Sequence, residues 1–313
     1  MTTSNADAEF DFLVYGLIGV EYLLEIDAAI AAGAQRRIHR EQRCAGGSAA
    51  LTAAALAHWG ARVILMGNPL GDDPNGRLVS RQLAAIPNLK LRTPTLAQFE
   101  TPYTVTIHAP DDQPAILIRH GDVENYLNTP RNDNSPGWPR ARLVFCDSEF
   151  GSRAEDLTLW CGKSTTPLIL KGLASERPQT TPPSGIMVTL PSGGNWASME
   201  RLTLQLARRL STLVVALERH SFNGVWARPE GRSGRFCLPA AGCNPSGLLG
   251  LEEVFHASLA WGRFQDWDWD DSLRYAMAAA TLKASSAAGM EGIPERAAIE
   301  AVVRGRGKSP AMR

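Results

Sequence analysis

The 313-residue chain holds 44% hydrophobic and 20% charged residues, with 32 Lys+Arg against 32 Asp+Glu and a formal net charge of +0. That length can bury the core of one large α/β domain with a small appendage, and the charge balance removes the global positive field that would gather nucleic acid or an acidic membrane surface. No apolar run reaches the roughly 20 residues of a membrane helix, the polar start MTTSNADAEFDF is unlike a secretory signal, and the five scattered cysteines form no metal or disulfide pattern, so a cytoplasmic protein is expected.

In chain order, FDFLVYGLIGV (10–20) predicts a buried strand, and the alternating, charged stretch 21–43 predicts short strands leaving the main body. GGSAALTAAALAHWG (46–60) predicts an Ala-rich helix opened by a glycine pair and stopped by Gly60. ARVILMG (61–67) is the next strand, followed by the turn GDDPNG and a helix near 77–86. Strand–helix–strand–helix is the rhythm of a parallel sheet covered by helices. YTVTIHA (103–109) and AILIRH (115–120) predict a hairpin around PDDQP, and 121–140 reads as a loop. RLVFCD (142–147) and PLILKG (167–172) are short apolar strands, and TTPPSG (180–185) is a surface turn. Then come a helix over about 197–211, the strand TLVVAL (212–217), a β pair at 224–228 and 235–238, and helices over about 248–262, 269–288 and 294–304. The aromatic stretch WGRFQDWDWD (261–270) predicts a capped loop between two of these helices.

Several residues invite a functional reading beside a plainer one. Gly46 and Gly47 let backbone approach a ligand at a helix N-terminus, or else let a small-residue helix pack tightly on the sheet. Glu21 follows the first strand, at the end where open α/β sheets bind ligands, or it is an exposed strand-end acid. Asp73 in GDDPNG is either a site acid or an Asx-turn residue. Arg119 ends a predicted strand, where it meets an anionic substituent or only solvent.

Four stretches together resemble the ribokinase-like (PfkB) carbohydrate kinase family: GLIGVEYLLEID (16–27), CAGGSAALTAAALAHWGARVILMGNPLGDDPNGRLV (44–79), TPYTVTIHAPDDQPAILIRHGD (101–122), and EEVFHASLAWGR (252–263) with SLRYAMAAATLKASSAAGMEGIPERAAIEAVV (272–303). The second is the most specific, with Gly71, Asp73 and Gly76 in the family's G-x-D-x-x-G. The resemblance implies a single domain over 1–313 with a three-layer α/β fold: a mostly parallel central sheet covered by helices, and a small β lid formed by about 22–43 and 88–120. It implies transfer of the ATP γ-phosphate to a sugar or sugar-like hydroxyl, with ATP, Mg²⁺ and possibly K⁺ as cofactors and a homodimer formed through the lid. Glu21, Gly46, Gly47, Ser48 and Arg119 would hold substrate, and Glu218, Gly224 and Gly250 would border the nucleotide.

Phosphoryl transfer needs a base at the acceptor hydroxyl and an anion hole for the moving charge. In this family a G-A-G-D loop at a helix N-terminus supplies both, and it maps onto Gly250, Leu251, Glu252 and Glu253, with Glu253 as the base. The longer Glu253, the anionic Glu252 in place of glycine, Ser48 and Leu51 in place of asparagines, and Glu218–Ser221 in place of a T-L-G turn are departures. Asn195 and Glu200 are a weak echo of the family's Mg²⁺-associated pair. Glu252 and Glu253 also suit a helix start with no catalytic meaning. Two functions stay open: a sugar kinase, or a catalytically inactive kinase-like protein that binds a small ligand or a partner.

Overall fold

The structure, a computed structural model, describes residues 8–110, 114–129, 137–147, 151–172, 184–190, 195–218, 223–238 and 248–305. Its frame is a nine-stranded sheet. In chain order its strands are β1 (Phe10–Gly16), β4 (Val63–Gly67), β6 (Leu89–Leu91), β10 (Ala141–Asp147), β11 (Leu168–Lys171), β12 (Gly185–Leu190), β13 (Val214–Glu218), β14 (Asn223–Ala227) and β15 (Ser233–Cys237). Their spatial order is β15-β14-β13-β12-β11-β10-β1-β4-β6. All neighbours from β6 to β13 are parallel, and β14 and β15 add an antiparallel edge.

Parallel strands covered on both faces should be apolar without alternation, and β1 shows why. Phe12 and Val14 enter one hydrophobic cluster while Leu13 and Tyr15 enter the other. The first cluster lies under α1 (Ser48–His58), α2 (Pro74–Ala84), α6 (Leu251–Phe264), α7 (Trp269–Ala284) and α8 (Arg296–Gly305). The second lies under α3 (Val123–Asn128), α4 (Gly151–Ser164) and α5 (Trp196–Leu210). This is the expected three-layer α/β architecture. Alanines give α1 its position: every residue from Ser48 to Ala57 is buried, so only small side chains let it nest between the sheet and α6.

The small sheet has the order β3-β2-β8-β9, from β3 (Ile38–Gly46), β2 (Gly19–Ile26), β8 (Tyr103–His108) and β9 (Ala115–Arg119). β2 runs antiparallel to β3 and parallel to β8, while β8 and β9 form the expected hairpin. Residues 89–91 belong to the main sheet, and β7 (Thr95–Leu96) pairs only with β5 (Leu70–Gly71).

The run expected as one strand over 10–20 is two strands in two sheets. The chain turns at Gly16 (φ 155°), where a Cβ would lie 2.6 Å from the Cβ of Asp147. The predicted loop 121–140 contains α3, whose Val123 and Leu127, four apart, are buried. β12 supplies a central strand that sequence reading left unassigned, and most of the expected turn 180–185 lies outside the described residues. Between α6 and α7 the expected capped loop is present, with Asp268 accepting a hydrogen bond from the Asp271 amide at 2.8 Å.

Candidate active site

The sheet reverses direction between β1 and β10: the chain moves outward through β4 and β6, then crosses back to β10 and proceeds the other way. Open α/β sheets bind ligands at the carboxyl edge of such a switch point. Gly16, Asp147 and Lys171 end the three strands there, and Asp147 and Lys171 are register partners.

From the small sheet, Glu21 reaches the same place. A Cβ on Gly46 would stand 2.1 Å from its Cγ, so the glycine makes room for the acid. The Gly47 amide donates a hydrogen bond to Glu21. Gly47 holds φ 88° as the N-cap of α1, and a Cβ there would meet the Leu17 carbonyl oxygen at 2.6 Å. Gly47→Ala is therefore expected to lose roughly 2 kcal/mol or more of stability through left-handed strain and this clash. Urea unfolding checks it. The next residue, Ser48, donates its hydroxyl to Asp147 Oδ2. Asp147 is completely buried, and Lys171 Nζ lies 3.4 Å from the same oxygen.

Gly250 caps α6 in the left-handed conformation (φ 86°, ψ 6°), so Leu251, Glu252 and Glu253 form its first turn. Glu253 is within electrostatic reach of Glu21, Glu252, Asp147 and Lys171. Burial, reinforced by Glu252 and Asp147, raises its carboxyl above the ordinary range, while Lys171 and its own amide pull the other way. Glu21 is pushed up to about 8, first by burial and then by Glu253. Glu252 leans along the helix, its Oε1 3.9 Å from Nε2 of buried His256. His256 is driven down to about 4 by burial, and its Nδ1 has no hydrogen-bond partner.

Glu21 gives a signed pH expectation. Its folded value lies above the unfolded 4.5. The folded state therefore holds the extra proton, and stability falls as pH rises from about 4.5 to 8. Glu21→Gln should flatten that decline in denaturant titrations run across the window.

Thus Glu21, Gly46, Gly47, Ser48, Gly250, Glu252 and Glu253 lie around one place, with Leu251 fully buried behind them. Asp147, Lys171, His256 and Lys283 join them without having been singled out from the sequence. Arg119 is engaged elsewhere, by Glu100 on the exposed face of the small sheet (2.9 and 2.5 Å). Asp73 caps α2, accepting from the Gly76 amide at 2.7 Å and the Thr101 amide at 2.8 Å, which is a structural duty.

On the expected nucleotide side, Glu218 is buried at the end of β13 and accepts from Asn223 Nδ2 at 3.2 Å. Gly224 leaves space for the Phe236 ring, which stacks on Phe255 of α6. Asn195 caps α5, and Glu200 holds Ser233 and Arg235. Residues 191–194, 219–222 and 239–247, which include most of the replaced T-L-G turn, lie outside the described residues. Among the described residues no group of three His, Cys, Asp or Glu is placed to hold a metal ion.

No protein-family model matches the chain, and no curated protein does. Solved structures do. Ribokinase from Arabidopsis thaliana, complexed with ribose and ATP, superposes with a TM-score of 0.69 at 18% identity, over 94% of this chain and 99% of that one. Ribokinase from Cryptococcus neoformans, in complex with ADP, gives 0.70 at 15% identity over 93% and 98%. A nucleoside kinase from Burkholderia thailandensis, in complex with inosine, gives 0.69 at 14% identity over 95% and 98%. The chain has the ribokinase-like fold.

Proposed function

We propose that the protein is an ATP- and Mg²⁺-dependent kinase that phosphorylates a hydroxyl of a sugar or sugar-like alcohol, such as a polyol or nucleoside. The observation that carries this reading is the convergence of Glu253, on the first turn of α6, with Glu21 and the Gly47 amide at the carboxyl edge of the switch point. Glu21 and the Gly47 amide hold the acceptor's hydroxyls. Glu253 takes the proton of the reacting hydroxyl as its oxygen bonds to the γ-phosphorus, and the bond to the bridging oxygen of ADP breaks. The first-turn amides of α6 face the charge that develops.

ATP would supply the phosphoryl group at this helix end, beside Glu252, whose Oε1 lies 3.9 Å from Nε2 of His256. Mg²⁺ would come in on the nucleotide phosphates, as is usual for this ion, and would offset their charge. Comparing turnover in potassium and sodium salts tests the remaining cofactor. A panel of sugars, polyols and nucleosides with ATP and Mg²⁺, read by ADP release, decides the function. No turnover together with no ATP binding by calorimetry overturns it. Ligand stabilisation without ATP binding would point to the inactive binding protein instead.

The same reading includes a homodimer through the small sheet. β9 is an edge strand exposed along its whole length, with Ile116, Leu117 and Ile118 44%, 58% and 62% exposed. Sedimentation at micromolar concentration should give twice the chain mass, and a monomer removes this part of the proposal. A cytoplasmic setting accords with the free thiols of Cys44, Cys146, Cys161 and Cys237, and no helix among the described residues is long and apolar enough to cross a membrane.

A further inference from the structure

Behind the turn that opens α6 lies a charge with no part in the roles above. Lys283, in the last turn of α7, is fully buried, and its Nζ donates to the Ala287 carbonyl at 2.6 Å. A Cβ built on Gly250 would lie 3.5 Å from Lys283 Cε and 3.8 Å from Gly289 Cα. The Gly289 amide donates to the Leu249 carbonyl at 3.1 Å, and a Cβ on Gly289 would lie 2.7 Å from Cys44 Sγ. The turn before α6 therefore packs on the Lys283 stem, and the turn after α7 receives its ammonium while joining the end of β3. Ser286 secures the last of these turns, donating to the Gly292 carbonyl at 2.8 Å.

Such a residue is a poor choice for stability alone. Burying an ammonium is expensive, and an apolar side chain of similar length commonly serves a core as well or better. A charge retained here is explained by what it does to its neighbours.

We propose that Lys283 is a positioning residue: its ammonium is a built-in cation behind the Gly250 turn that adds to the charge of Lys171 in the electrostatics around Glu253. Its relevance to turnover rests on the kinase reading, but the buried charge does not. Burial lowers its ammonium to about 8, while Glu253 and Cys44 raise it, so it is still mostly charged at neutral pH. Glu253 is faced in turn by Glu21 from β2, Asp147 from β10, Lys171 from β11, Glu252 from its own helix and Lys283 from α7.

The test uses Lys283→Met, which keeps length and removes charge, and Lys283→Gln, which also keeps a donor for Ala287. The titration midpoint of the Glu253 side-chain carboxyl, read by carbon NMR and assigned by its loss in Glu253→Gln, should rise by about one pH unit in both variants. Urea unfolding at pH 7 should show Lys283→Met close to the parent, as a merely structural lysine would not. If the parent is a kinase, kcat should fall at least about tenfold with KM for the acceptor little changed, and the acid limb of the rate profile should move with the midpoint. An unmoved Glu253 midpoint in the folded Gln variant overturns the proposal. A moved midpoint in a protein without turnover overturns the kinase reading and leaves the cation assignment standing.

Discussion

Glu253→Gln is expected to lower kcat at least about a hundredfold with any accepted substrate, while acceptor binding measured by calorimetry stays within a few-fold. The substitution keeps the length and shape of the side chain on the first turn of α6, so the Gly250 cap and the packing of Leu251 are retained. What disappears is the site for the acceptor's proton. The parent's rate profile carries the same signature. Because burial beside Glu252 and Asp147 raises the Glu253 carboxyl, the base becomes protonated well before ordinary acid conditions are reached. Activity should therefore fall as pH drops from neutral through 6, and not merely near 4. Equal kcat in the parent and in Glu253→Gln would remove Glu253 from the chemistry.

Asp147→Ala is expected to destabilise the protein by about 3 kcal/mol, the usual scale for removing one partner of a buried pair. Asp147 is fully buried, receives the Ser48 hydroxyl and stands beside the Lys171 ammonium, which is itself 11% exposed. Its removal breaks a link between the first turn of α1 and the ends of two central strands. In a double-mutant cycle with Lys171→Met, the combined loss in urea unfolding should be smaller than the sum of the single losses, because the second substitution removes the charge that the first left uncompensated. Additive losses would mean that the pair is not coupled.

The carboxyl edge of the sheet was legible where local sequence carries its own signal. Gly46-Gly47-Ser48 marks a close backbone approach before a small-residue helix, and Glu21 follows a buried strand. Asp147 and Lys171 carry a similar mark, a charge closing an apolar run in RLVFCD and LILK, and strand-end position would have found them. Lys283 offers no such clue. In an alanine-rich helix a lysine reads as solvent-facing, and only the turn of residues 285–292 folding over it makes it buried.

The break at Gly16 was hidden because the apolar run 10–20 continues through Gly19 and Val20, the first residues of β2, and hydropathy does not record which sheet a strand joins. Gly224, expected beside a nucleotide, makes room for Phe236 beneath α6, a contact that spacing cannot reveal. Asp73 in GDDPNG allows two roles from sequence, and the Thr101 amide, 28 residues on, is what assigns it to structure.

Glu21 comes from the small sheet and Glu253 from a helix on the large one, yet each raises the other's hold on its proton or lies within its field. A guest whose hydroxyls enter between them changes the field that both experience. Binding near neutral pH should then exchange protons with the surrounding buffer. The apparent heat of binding should differ between buffers of low and high ionisation enthalpy, such as phosphate and Tris, by an amount proportional to the protons exchanged. The junction of the two sheets would in that case report its occupancy calorimetrically, even for a ligand that is never turned over.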